Sequence, residues 1–220
     1  MAITLGANGI IYSDSTSNTT APNDKGILIS VVSYGTAGSY TYTVPPLCST
    51  VYVQLVGAGG GSSGYCESGG AGGYAEGTYS VTAGTAITVT VGSGGGASTY
   101  AATAGSGGTS SFGSYCSATG GGGANSTVIH AGGHGGVGSG GQVNLYQGTG
   151  TGHANGGSYA QDGLGGGSYY GGGPGIIRHN PGVAASFSAS PGAGATGNEG
   201  NDGTVGSTGA SGLVVIYAYK

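Results

Sequence analysis

Charge is what this chain has least of. Only 5% of its residues are Asp, Glu, Lys or Arg, and Lys25, Arg178 and Lys220 are all of its basic side chains against seven acids, a formal net charge of −4. A phosphate-binding surface needs clustered Lys and Arg, so no nucleic-acid partner is expected, and the same scarcity argues against anionic membrane surfaces. Cysteine is sparse as well: Cys48, Cys66 and Cys116 show no C-x-x-C spacing, and a disulfide framework is not expected. The one pairing left open is Cys66 with Cys116, each of which follows a tyrosine. Long apolar runs are also missing. The longest, Leu213 to Tyr219, falls far below the roughly 18 residues of a membrane span. Met1-Ala-Ile-Thr-Leu-Gly6 has neither the positive n-region nor the apolar h-region of a secretory signal, so the protein is expected to be made and used without Sec-type export, or to leave the cell by lysis.

Helical periodicity is absent too. No stretch repeats apolar residues every 3.6 positions, and glycine interrupts every window of helical length. The fold class is therefore all-β.

What the chain has in excess is glycine, 57 of 220 residues, where an average protein has roughly 7%. Disorder does not follow from this. Disordered chains are charged and poor in aromatics, whereas this one is nearly uncharged, has a mean hydropathy of +0.06 and carries 16 tyrosines. Ordering glycine nonetheless costs about 1–2 kcal/mol per residue or more. In runs such as Gly120 to Gly123 only backbone hydrogen bonds, at about 0.5–1.5 kcal/mol each, can offset that cost. Gly132-Gly-His-Gly-Gly-Val137 follows a local period of three. The period is not sustained, which excludes a collagen triple helix and leaves short polyglycine-II-like segments bonded side by side.

Residues 1–25 are polar, rich in Ser, Thr and Asn, and close on Ala21-Pro-Asn-Asp24, a turn composition; they read as an extended N-terminal arm. Residues 26–220 read as one glycine-rich β domain. Alternation marks strands at Ile27–Val32, Tyr40–Val44 (Tyr40, Tyr42 and Val44 on one face), Val51–Val56, Tyr74–Val81 and Thr85–Val91. The last two are expected to form a hairpin through Thr82-Ala-Gly84, with Ile87, Val89 and Val91 facing inward. Thr109–Tyr115, Val143–Tyr146 and Ala184–Phe187 are weaker strands. Leu213–Tyr219, apolar on both faces, reads as a central strand that pairs the chain's end with its beginning. The expected architecture is a small β-sandwich-like domain with glycine tracts, within residues 93–211, bulging from one side as a packed layer.

Catalytic constellations are not apparent. His130 and His134 are spaced i, i+4, but in a glycine-rich stretch that is not helical, so no metal site is expected there. Glu199 and Asp202 are the only neighbouring acids and sit in a turn-like stretch, and a glycosidase pair would need two carboxylates across a cleft. Lys25 is followed by Gly26, so there is no phosphate-binding loop, and G-x-G-x-x-G matches carry no weight at this glycine density. No cofactor is expected, and the chain reads as a non-enzyme. Asn144 to Tyr170 is built largely of Tyr, Ser, Gly and Asn, the residue types of antibody paratopes. Tyr146, His153, Tyr159, Tyr169, Tyr170 and Arg178 are therefore candidates for a carbohydrate- or protein-binding surface at the glycine-loop tips. The other reading is that the tyrosines staple the glycine tracts.

Two groups of residues resemble phage tail proteins. Ile10-Ile-Tyr-Ser-Asp-Ser-Thr-Ser-Asn-Thr-Thr-Ala21 is similar to the F-x-D-G-T-x-Q-T-x-A segment of phage tail fibres, with Tyr12 for its Phe, Ser15 for its Gly and Asn18 for its Gln. Tyr40-Thr-Tyr-Thr-Val-Pro45, Val51-Tyr-Val-Gln-Leu-Val-Gly-Ala-Gly-Gly60, Gly72-Gly-Tyr-Ala-Glu-Gly77, Val89-Thr-Val-Gly92 and Gly212-Leu-Val-Val-Ile-Tyr217 together resemble the glycine-rich domain of phage tail proteins and adhesins, over roughly residues 35–218. The resemblance implies a tail-fibre or tail-tip protein of the virion, a homo-oligomer with a trimer favoured, assembled in the host cytoplasm and released by lysis. Its implied partners are other phage tail proteins and a host surface glycan or outer-membrane protein. On this reading Ile10, Ile11, Tyr12, Asp14, Thr16 and Thr19 are candidates for virion attachment. A capsid or baseplate decoration without receptor contact, a polysaccharide-degrading tailspike and a glycine-rich antifreeze or cell-wall protein are the alternatives; scarce carboxylates and a short chain speak against the tailspike, and the N-terminal segment against the last.

Overall fold

A computed structural model describes residues 26–64, 67–99, 102–125, 131–152, 163–172, 190–197 and 205–220, together with the backbone of three short strands in the arm. Those three, β1 (Thr4–Gly6), β2 (Gly9–Ile11) and β3 (Ser17–Asn18), form an antiparallel meander in which Thr4 lies opposite Ile11, and Ile10 opposite Asn18.

Ten further strands build two antiparallel five-stranded sheets. The first has the order β11-β10-β9-β8-β5, from β5 (Gly38–Thr43), β8 (Ala86–Val91), β9 (Ser110–Phe112), β10 (Cys116–Ala118) and β11 (Gly138–Ser139). The second has the order β12-β7-β6-β13-β4, from β4 (Leu28–Tyr34), β6 (Thr50–Val56), β7 (Tyr74–Ser80), β12 (Val143–Leu145) and β13 (Leu213–Tyr219). Described residues contain no helix. Strand alternation aims Val51, Val53, Leu55, Val214 and Ile216 of the second sheet at Ile87, Val89, Val91 and Phe112 of the first. Each such side chain gains about 1.5–3 kcal/mol on full burial, and this layer is the apolar core. The expectation that Leu213–Tyr219 lies inside a sheet and joins the chain's end to its beginning holds: β13 is paired with β6 on one side and with β4 on the other.

Two strand expectations change. The hairpin expected from Tyr74–Val81 and Thr85–Val91 does not form: β7 and β8 belong to different sheets, and residues 81–85 carry the chain across the sandwich. Alternation fixes which face of a strand is buried but not which neighbour it pairs with, so the tight Thr82-Ala-Gly84 turn fits an inter-sheet arch equally well. Thr109–Tyr115 is not one strand; β9 ends at Phe112, and residues 113–115 turn it into β10. Cys116, expected as a partner for Cys66 if either paired, is a free thiol buried in the core. Ala184–Phe187 and Cys66 lie outside the described residues.

Glycine tracts do not bulge sideways from the sandwich. They continue its strands: 57–63 extends β6, 92–98 extends β8 and 119–125 extends β10, while 67–73, 131–137 and 205–212 lead into β7, β11 and β13. The hydrogen bonds repeat every three residues, the period of a polyproline-II-type helix. In 57–63, Gly57, Gly60 and Ser63 donate to Gly73, Gly70 and Glu67; Ala58 and Gly61 donate to Gly108 and Gly105; Gly59 and Ser62 donate to Ala210 and Ser207. The same segment accepts from Gly121 and Ala124, from Gly95 and Ser98, and from Ala195, so six neighbours surround it. Segment 67–73 repeats the arrangement, donating to 148–151, 192–195 and 119–122. Such a lattice needs glycine because a Cβ on Gly60 would stand 2.0 Å from the Gly122 carbonyl oxygen, and one on Gly70 2.0 Å from that of His134. In place of a side chain, a Cα–H of Gly57, Gly60, Gly61, Gly69 and Gly70 points at a carbonyl, a weak hydrogen bond in its own right. The expected side-by-side polyglycine-II packing is therefore what forms.

Candidate functional site

The outer face of the β12-β7-β6-β13-β4 sheet is where tyrosines collect. Alternation along β6 and β7 turns Tyr52 and Gln54, and Tyr74 and Glu76, away from the core, and the register sets Gln54 opposite Glu76 and Tyr217 opposite Tyr52. Glu76 is the only charged residue in these five strands. Its Oε2 accepts from the Tyr52 hydroxyl at 2.6 Å, from the Tyr74 hydroxyl at 2.5 Å and from Gln54 Nε2 at 3.2 Å, and Gln54 Nε2 also donates to the Tyr74 oxygen at 2.9 Å. All the bonds to the carboxylate converge on Oε2, which leaves Oε1 without a donor among the described residues.

Hydrogen bonds to the charged form favour it. The Tyr52 hydroxyl first, then that of Tyr74, hold the Glu76 carboxyl below its ordinary value, with burial opposing them. Conversely, burial, with donation to Glu76 second, pushes both phenols well above theirs. The cluster is thus an ionised carboxylate held by neutral phenols.

A tight turn lays two more rings over it. Ser168 and Gly171 exchange backbone hydrogen bonds at 2.8 and 3.1 Å, and Ser168 Oγ donates to the Pro191 carbonyl at 2.7 Å. Tyr169 and Tyr170 occupy the two central positions of this turn. Tyr169 stacks on Tyr74 with ring centroids 3.8 Å apart and planes 15° from parallel, while Tyr170 meets Tyr74 edge-on at 6.2 Å. Tyr74 is thereby fully covered, although it lies on an outer face, whereas Tyr169 remains 49% exposed. The Tyr170 hydroxyl is buried without a hydrogen-bond partner, and burial pushes it up to about 12. Tyr52 and Tyr217 extend the aromatic surface, their centroids 5.7 Å apart.

Of the binding residues expected from sequence, the structure brings Tyr169 and Tyr170 together and sets Tyr146 apart. Tyr146 follows Leu145, the partner of Tyr74, and therefore points to the opposite face, where its hydroxyl accepts from the Gly135 N–H at 3.2 Å. It pins a glycine segment, the stapling reading. His153, Tyr159 and Arg178 lie outside the described residues. So do Tyr12, Asp14, Thr16 and Thr19 among the attachment candidates; Ile10 and Ile11 lie in β2. Sequence reasoning missed Tyr52, Gln54, Tyr74, Glu76 and Tyr217. Their alternation was visible, but the register that joins Gln54 to Glu76 was not.

The second acid within the described residues, Glu67, lies elsewhere, buried in the glycine lattice and bonded by the Ser63 hydroxyl. No group of three His, Cys, Asp or Glu residues with metal-binding proximity occurs among the described residues. No curated protein matches the chain in sequence. Residues 35–219, from just after β4 to the end of β13, match the profile of the glycine-rich domain, and the chain belongs to that family.

Proposed function

We propose that this protein is a non-enzymatic structural component of a phage virion, placed at the tail fibre or tail tip, where it contacts a glycan or outer-membrane protein of the host surface. The observation that carries this reading is the outer face of the second sheet: tyrosine rings, one carboxylate and little other charge, displayed on a sandwich stiffened by a bonded glycine lattice. Tyrosine supplies large contact area at low entropy cost, and a rigid display conserves binding energy. The tail assignment itself rests on the sequence resemblance of residues 10–21 and 35–218. In the virion, residues 1–25 would join neighbouring tail proteins, and the copies would associate as a homo-oligomer, a trimer by that resemblance. Association is further favoured by β4, an edge strand without Pro or charge that exposes Leu28, Ile29 and Val31.

Adsorption tests this. Purified protein should bind host cells and compete with the phage for infection, and antibody to it should label the distal tail in electron micrographs. Label on the tail with neither cell binding nor competition would favour a baseplate decoration over an adhesin, and label on the capsid would remove the tail assignment.

A further inference from the structure

We infer that the Tyr52–Gln54–Glu76–Tyr169 cluster is a saccharide-binding site, taking a pyranose that carries neighbouring free hydroxyls. This deepens the host-contact reading and names its ligand class. Three features of the cluster converge on such a ligand. Tyr169 is stacked on Tyr74 by one ring face, so its exposure belongs largely to the other, a flat apolar platform rather than a cage. The electron-rich face of an aromatic ring attracts polarised C–H groups, and the axial C–H face of a pyranose is of matching size. Beside the platform, Glu76 Oε1 is an unused acceptor on a carboxylate whose other oxygen is already saturated, and sugar hydroxyls are donors that make strong charge-assisted bonds to it. Finally, the Tyr170 hydroxyl is buried against the cluster with no partner, a polar group left to satisfy.

A cationic ligand is the competing class, since tyrosines with a carboxylate can hold a quaternary ammonium. The ring arrangement disfavours it. Cation binding wants several ring faces turned on one point, whereas here the Tyr74 face is consumed by Tyr169 and Tyr170 meets both neighbours edge-on, at 74° and 88°.

The test uses the full chain on an array of hexose- and heptose-containing oligosaccharides, with choline as a second soluble probe. At least one oligosaccharide should bind, and the binding should vanish when its vicinal diols are cleaved by periodate. Tyr169→Ala should weaken it about tenfold or more, Glu76→Gln by a smaller factor, and Tyr169→Trp should retain it. Tyr146→Phe, outside the cluster, should leave it unchanged. An unfolding midpoint for Tyr169→Ala equal to that of the wild type would exclude loss through misfolding. Binding of choline but of no sugar, or sugar binding indifferent to Tyr169→Ala, would overturn the inference. Host cells separate it from the adhesin reading: cell binding that survives both periodate and Tyr169→Ala sinks the saccharide site and leaves the adhesin standing. Sugar binding without cell binding does the reverse.

Discussion

Adjacent glycines 95 and 96 should respond in opposite directions to the same added methyl group. A Cβ on Gly95 would lie 2.1 Å from the Gly105 carbonyl oxygen and 2.7 Å from the Gly61 nitrogen, whereas a Cβ on Gly96 meets nothing within 4 Å. Restoring an ordinary contact of 3.4 Å or more at Gly95 requires segments 92–98 and 103–109 to part by over 1 Å. At stake are the bonds from Gly61 to Gly105, from Gly95 to Gly59 and from Gly105 to Gly96, all at 2.8–2.9 Å. Leaving two of them unmade in the interior costs about 2–6 kcal/mol, against about 0.4–1 kcal/mol returned by the stiffer unfolded chain. Gly95→Ala should therefore lose about 2–5 kcal/mol, a large share of a typical domain's stability. Gly96→Ala should gain up to about 1 kcal/mol. Chemical denaturation with a shared m-value reads both. Equal tolerance at the two sites, or greater damage at Gly96, would refute a lattice with a three-residue period.

The Tyr42 hydroxyl is buried in the core without a partner, and burial pushes it up to about 12. Tyr42→Phe should thus raise stability by about 1 kcal/mol, seen as a later unfolding midpoint. Because the folded values of Tyr42 and Tyr170 are raised, their contribution is intact below pH 10 and is lost as pH climbs towards 12; absorbance at 295 nm should show these tyrosinates forming only with unfolding. Glu76 has the opposite sign. Its lowered value makes its contribution complete above the ordinary carboxylate range and lost as pH falls through the folded value, so Glu76→Gln should flatten the acid limb of the stability profile and cost about 1 kcal/mol at neutral pH, the partial exposure of the group being allowed for. Cys116, its thiol pushed up by burial, should react with a thiol reagent only at the rate of global unfolding.

Much of this fold could be read from residue order alone, and the failures share one cause. Strand periodicity located every long strand of the sandwich, and Leu213–Tyr219 is an interior strand as expected, although only Val214, Ile216 and Ala218 of it are fully buried. Periodicity, however, is local. It could not tell that 81–85 arches between sheets, since a two-residue turn serves a hairpin or a crossing alike. Glycine tracts gave their conformation through the period of three at Gly132–Val137, but not their direction, because nothing in a polyglycine run says that it prolongs the strand it touches. The site shows the same limit. Tyr169 and Tyr170 stood out by composition, whereas Glu76 looked like an isolated acid until the β6–β7 register put Gln54 and two phenols around it.

Amide hydrogen exchange resolved to 57–63 and 67–73 tests the central claim, that glycine here is an ordered scaffold. Every N–H from Gly57 to Ser63 and from Ser68 to Gly73 donates to another segment, so these amides should exchange as slowly as those of β6 and β13, at the rate set by global unfolding. Exchange of these amides at the speed of an unstructured glycine chain, while β6 and β13 stay protected, would contradict it.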